Sequence, residues 1–279
     1  MSLRRKSRLI LFTLVAIVFL FGTSSFAGEL PAVKNQKKGT VIGRIMIKDG
    51  GPLSGGQVLF YRVSAGPPPA SEKYDRTPDV VRDMDADGRF RVELQPGKYY
   101  FGAVKRLSGE RIGNPQEGDY VYRSVDEKGK PKEYVVEEGK ILDLGTISEA
   151  VPLKAGRLSK NSVTTAIEGV VVDMDGNPVQ NAVVVAFLSP TVGGKPIFVS
   201  DATGEDGKYL LRVTEGTYYL RVRNQFASGP PEPGQIVGFY GEGSPAPVSV
   251  KDGEIKKGIG FKVILFPGRG PLSGTPPAR

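Results

Sequence analysis

The chain has 279 residues, with 38 Lys and Arg against 30 Asp and Glu, a formal net charge of +8, and neither histidine nor cysteine. The missing histidine removes the ordinary side chain that titrates near neutrality. With it go a Ser-His-Asp triad, a Cys-His pair, haem ligation by His, and the common zinc and copper sites. The missing cysteine leaves each domain to be held by its core, without disulfides.

The first 27 residues read as a secretory signal peptide. Arg4, Arg5, Lys6 and Arg8 form a basic start, 9–21 is apolar except for Thr13, and Ser25 and Ala27 occupy the small positions of an A-x-A-like site. Cleavage is expected between Ala27 and Gly28. The apolar core of 13 residues is shorter than the roughly 20 that a membrane anchor needs. No cysteine follows it to take a lipid, and the rest of the chain has no second stretch of that kind. Removing the four basic residues lowers the formal charge to +4. That surplus is too mild to indicate nucleic acid, so the product is expected to be exported, periplasmic or extracellular or held at the outer surface, and not an integral membrane protein.

From residue 40 the pattern has a period near two. "TVIGRIMI" (40–47) and "QVLFYRV" (57–63) read as strands around the turn "KDGGPLSGG". The excursion "SAGPPPASEKYDRTPD" (64–79) contains three consecutive prolines and reads as an extended surface loop. "VVRDMDADGRFRVEL" reads as strand, turn, strand. "PGKYYFGAVKR", "YVYRSV", "KEYVVEEG" and "KILDLGTISEAV" supply the later strands. A polar linker, 152–162, follows. Then "TAIEGVVVD", "AVVVAFLS", "IFVSDAT", "GEDGKYLLRV", "TEGTYYLRVRN", "IVGFYG", "APVSVKDGEI" and "GIGFKVILF" make a second series, and 268–279 is a flexible tail.

The two series share landmarks in one order. "GRIMIKDGGPLSGGQVLFY" aligns with "GVVVDMDGNPVQNAVVVAF", "DADGRFRVELQPGKYYFGAV" with "GEDGKYLLRVTEGTYYLRV", and "YVVEEGKILDLGTI" with "VSVKDGEIKKGIGF". A duplicated unit of roughly 100 residues is expected, built as a β-sandwich because short strands alternate with Gly/Pro turns. Alternation puts Tyr218, Leu220 and Val222 on one face and Tyr219, Arg221 and Arg223 on the other. It likewise sets Tyr99, Phe101 and Ala103 against Tyr100, Gly102 and Val104. The first tyrosine of each pair is a core residue with its hydroxyl at an edge. The second, Tyr100 or Tyr219, is the more exposed and a candidate contact for a partner.

Three motifs carry a resemblance. They are G-x-V-x-D-x-x-G-x-P-V-x-x-A-x-V at 169–184, T-G-x-D-G-x-Y at 203–209, and G-x-Y-x-L-x-V at 216–222. In these the second series resembles the carboxypeptidase regulatory-like domain, a prealbumin-like (transthyretin-like) β-sandwich. The first series departs more, with "DADGRF" in place of "TGEDGKY" and "GGPLSGG" for the first turn. The resemblance implies an all-β chain of two tandem prealbumin-like (Ig-like) sandwiches, 39–151 and 163–267, after the signal peptide. It says little about function, because such domains are modules of many secreted proteins. Enzymatic relatives that cleave hydroxyisourate use histidines, and the metallo-carboxypeptidases rely on a separate domain with histidine ligands; this chain has neither.

"DMDADG" places Asp83, Asp85 and Asp87 as the opening of a calcium loop. Its twelfth position is Leu94 and not a glutamate, and it lies between strands, so the turn of the family is the competing reading. Asp173 and the acids of 201–207 read first as turn residues. Acids at 110, 117 and 119 form no evident pair for glycoside hydrolysis. Phe239 and Tyr240, beside glycines in "GFYGEGSPAP", are candidates to stack on a sugar. No cofactor is expected, with calcium as the one metal considered. The expected function is a non-catalytic protein-binding or structural module of the cell envelope or of a secreted assembly. A carbohydrate-binding module and a calcium-dependent adhesin are the alternatives. The partner is an envelope or extracellular protein or a polysaccharide.

Overall fold

The structure is a computed structural model that describes residues 37–109, 114–154, 164–191, 194–224 and 231–268. Contacts divide the chain into Met1–Asn35 and Gln36–Arg279, and every described residue lies in the second unit. The signal peptide and most of the tail and linker expected from the sequence fall outside the described residues.

Among the described residues, every regular element is a strand except for a 3-10 turn at Val63–Ala65. The first series forms β1 (Gly39–Ile47), β2 (Gln57–Arg62), β3 (Val80–Asp83), β4 (Arg89–Leu94), β5 (Gly97–Lys105), β6 (Tyr120–Arg123), β7 (Tyr134–Val136) and β8 (Ile141–Pro152). They hydrogen-bond in the order β3-β2-β5-β6-β8-β1-β4, with β7 on β5. The long β8 runs parallel to β1 over its first part and pairs with β6 through Val151 and Pro152, so the sheet folds over itself. Val41, Ile45, Phe60, Phe90, Val92, Tyr99 and Phe101 fill the space between. Each such side chain, once buried, contributes about 1.5–3 kcal/mol.

The second series forms β9 (Ala166–Val172), β10 (Val183–Phe187), β11 (Phe198–Val199), β12 (Lys208–Arg212), β13 (Gly216–Arg223), β14 (Ile236–Phe239), β15 (Pro247–Val250), β16 (Ile255–Lys256), β17 (Phe261–Lys262) and β18 (Ile264–Leu265). One sheet has the order β11-β10-β13-β14-β18 with β15 on β13. The other has β12-β9-β16 with β17 also on β9. The pairings repeat those of the first series strand for strand. β9 lies between antiparallel β12 and parallel β16 and β17, as β1 lies between β4 and β8. Turn bonds recur too: Ile45 N donates to Gly88 O and Val171 N to Gly207 O, each at 2.9 Å. Tyr99 and Tyr218 are both buried, and each hydroxyl donates to the carbonyl four residues upstream, Gln95 at 2.8 Å and Thr214 at 3.0 Å.

The stretch "GFKVILF" is not one strand. Phe261 and Lys262 pair with β9, whereas Ile264 and Leu265 pair with β14 in the facing sheet. The chain crosses between sheets there, with Val263 buried at the corner. The described residues thus form an all-β architecture of packed sheets consistent with Ig-like sandwich units.

The proline-rich excursion is a second departure from expectation. Only its first part lies at the surface. Residues 74–79 form a strap that crosses from the first series to the second. Thr77 N donates to Ile197 O at 2.9 Å and Val199 N to Asp75 O at 3.2 Å, around a bridge between Arg76 and Phe198. Tyr74 is 7% exposed and belongs to the second core, its ring 5.1 Å from that of Phe198 in edge contact. Asp75 pairs with Arg212 at 3.2 Å, with side chains 9% and 12% exposed. Residues that read as solvent-facing are covered because the strap has the opposite sheet edge to pair with.

Candidate functional site

The strap, the outer face of β2, β3, β5 and β6, and the facing edge of the second series enclose a cleft of about 1410 Å³. Its position follows from the pleat. With Phe60, Phe101 and Tyr122 turned to the core, Leu59, Gly102 and Arg123 stand in one row on the opposite face, and Val104 and Val121 in the next. The floor is therefore aliphatic at Leu59, Val104 and Val121, with Gln57 and Arg123 at the ends of the two rows. Pro68, Pro69 and Tyr74 form one wall, and Thr165, Lys195, Val213 and Asp252 belong to the facing side.

Gly102 keeps the floor open. A Cβ there would meet the Tyr122 carbonyl at 2.9 Å, so the position also fits the close approach of β5 and β6. In the second series the same register position holds Arg221, flanked by Val185 and Phe239 as Gly102 is flanked by Leu59 and Arg123. The Arg221 guanidinium lies 4.8 Å from the Phe187 ring centre and donates to the carbonyls of Pro190 and Thr191. That face is filled where the first is open.

Arg76 anchors the strap. Its side chain is 1% exposed, faces Asp79 at 3.3 Å, and donates to the carbonyls of Arg62, Gly66 and Pro67. Its guanidinium sits over the Tyr61 ring, 5.5 Å from the centre. Burial lowers the Arg76 pKa, which Asp79 partly opposes. Arg76 Nε and Thr77 Oγ1 are buried without a hydrogen-bond partner.

Burial pushes the hydroxyls of Tyr61 and Tyr74 up to about 12. A folded-state value above the unfolded one makes a contribution that is complete below the unfolded pKa and lost as pH rises through the folded one. The protein is therefore expected to lose stability between about pH 10 and pH 12. Denaturant midpoints followed across that range, beside phenolate absorbance, check this. A denaturant midpoint that stays constant from about pH 10 to pH 12 would contradict it.

The residues singled out from the sequence scatter. Tyr100 is the more exposed of its pair, with Tyr99 at 2%, yet it is buried and offers no open face to a partner. It is 8% exposed, opposite buried Tyr61 on β2, because the strap covers this end of the face. Tyr219 is half-buried against Val185, Phe187 and Val199. Phe239 closes β14 instead of lying in a loop, and is 39% exposed. Tyr240 points the other way, onto the second core, 6.3 Å from Phe261. Tyr219 and Phe239 thus share a face on either side of Arg221, while Tyr100 and Tyr240 lie elsewhere. Asp85 Oδ1 accepts the amides of Asp87 and Arg89 at 3.0 and 2.8 Å, and Asp83 accepts the Gln57 side-chain amide at 3.1 Å. Asp87 contributes its carbonyl to Arg44. Asp126 and Asp173 bind amides two and four residues on in the same way, as turn formers do. Among the described residues no three acidic side chains gather in a way that could hold a metal, and no helix is long and apolar enough to cross a membrane.

The fold and cleft define an all-β protein of Ig-like sandwich type. No family model and no curated protein matches the chain. Among solved structures it is similar to the Bacillus anthracis TIE protein, at 18% identity over 81% of this chain and 34% of that one, with a TM-score of 0.25. It is similar to a streptococcal ancillary pilin at 16% identity, covering 84% of this chain and 64% of the other, with a TM-score of 0.21. For the shaft pilin SpaA of Lactobacillus rhamnosus GG the values are 15%, 85%, 100% and 0.26. The chain spans about a third of the first protein and under two thirds of the second. Overlaps this slight carry no argument about role, which rests on the residues of the chain itself.

Proposed function

We propose that the chain is an exported, non-catalytic protein-binding module of the cell envelope or of a secreted assembly. In this reading 1–27 is a signal peptide. Residues 39–151 and 163–267 are two copies of one carboxypeptidase regulatory-like sandwich, joined by 152–162. The strand-for-strand recurrence of the pairings supports the duplication. The observation that carries the function is the aliphatic-floored cleft between the two series. Small-molecule pockets typically run to about 300–1,000 Å³, so a space of 1410 Å³ suits part of a larger partner. A sugar ring would need an open aromatic face. Tyr61 is covered by Arg76, and on the other candidate face Tyr219 is half-buried beside Phe239. A protein partner is therefore favoured over a polysaccharide.

A photo-cross-linking residue in place of Val121, in the cleft, tests this in native envelope, with Leu210 on the exposed side of β12 as control position. The expected result is one discrete protein adduct from position 121, lost when Leu59→Asp is added, and none from position 210. Equal labelling from both positions, or no protein adduct, would contradict the reading.

A further inference from the structure

We propose that the cleft takes an extended polypeptide segment in which aliphatic side chains alternate with acidic ones; this rests on the protein-binding reading of the cleft. Charge decides the acidic half. Six cationic side chains line the space, among them Lys73, Arg82, Arg123 and Lys195, against four acidic ones. Three of those acids are already engaged, Asp75 by Arg212 from outside the lining, and Asp79 and Glu72 by Arg76 and Arg123 of the lining itself, so four lining cations face one remaining acid, Asp252. Clefts lined by one surplus sign concentrate ligands of the other.

The floor decides the aliphatic half. Leu59 lies beside the gap at Gly102 and Val104 and Val121 form the next row, so a branched side chain of a partner finds apolar contact there, with Arg123 on the other flank. A chain with side chains alternating to opposite sides sets aliphatic groups on the floor and carboxylates towards the cationic rim. An acidic polysaccharide offers the carboxylates without the aliphatic groups.

A displayed library of random decapeptides, selected on the full chain and counter-selected on Leu59→Asp, tests this. Selected peptides should be rich in Asp, Glu, Val, Ile and Leu. Their affinity should fall about tenfold or more in the charge-reversing pair Lys73→Glu and Arg123→Glu. Both side chains are exposed, so the fold is retained. Oligogalacturonate should not compete. Cleft-dependent peptides of neutral or basic composition, or competition by oligogalacturonate, would overturn the acidic-polypeptide inference and leave a binding cleft. No cleft-dependent peptide at all would overturn the protein-binding reading itself.

Discussion

Phe198→Ala is expected to destabilise the protein by about 3–5 kcal/mol, the usual range for truncating a buried phenylalanine. Phe198 is 1% exposed and touches Tyr218 of its own sheet at 5.7 Å as well as Tyr74 of the strap at 5.1 Å. The loss therefore falls on the second core and on the junction together. Tyr74→Ala should cost a comparable amount, and the double variant less than the sum, since one contact is removed by either change. Chemical denaturation of the four proteins measures this. Strict additivity would mean that Tyr74 and Phe198 do not share a core.

Gly169→Ala is expected to be at least as damaging, and to prevent folding of the second series at ordinary temperature. Gly169 lies in β9 opposite Tyr209, at the place where the neighbouring chain passes between β16 and β17. A Cβ there would stand 1.9 Å from the Ile259 carbonyl oxygen and 2.5 Å from its carbon, well inside contact distance. Both obstacles are backbone, and Tyr209 donates its hydroxyl to that same carbonyl at 2.8 Å, so the strand has nowhere to move. Gly43, which occupies the corresponding place on β1, faces the tip of the Phe90 ring at 2.9 Å. A side chain can yield where backbone cannot, so Gly43→Ala should be the milder substitution. Circular dichroism and thermal melts of the two variants compare them, and equal behaviour would contradict the account.

These two changes also show what was legible in the sequence. Turn chemistry and alternation are local, so Asp173, Tyr99 and Tyr218 could be assigned from a few neighbours each, whereas Asp85 read equally as a turn former and as part of a calcium loop. The shared order of landmarks carries the recurrence of the strand pairings in the sequence itself. The strap was not legible because its partners are remote: Tyr74 meets Phe198, 124 positions away, and Asp75 meets Arg212. Nothing within 64–79 announces a strand, and three prolines argue against one. The burial of Tyr100 was hidden for the same reason. Alternation put it on the outer face correctly, but that face is roofed by the strap and not by water. The cleft depended on both facts. Even so, 67–69 was recognisable as a feature of the first series without a counterpart in the second, and Pro68 and Pro69 line the cleft wall.

The central claim is that the strap belongs to both series and holds the cleft ready-formed. Amide hydrogen exchange of Thr77 and Val199 tests it most directly, because these two donors make the backbone bonds across the junction. The account predicts that both exchange as slowly as core-strand amides such as Val58 and Leu220. Exchange at the rate of the exposed turn amide of Lys128, with the two cores still protected, would show that the strap is not bound and would contradict it.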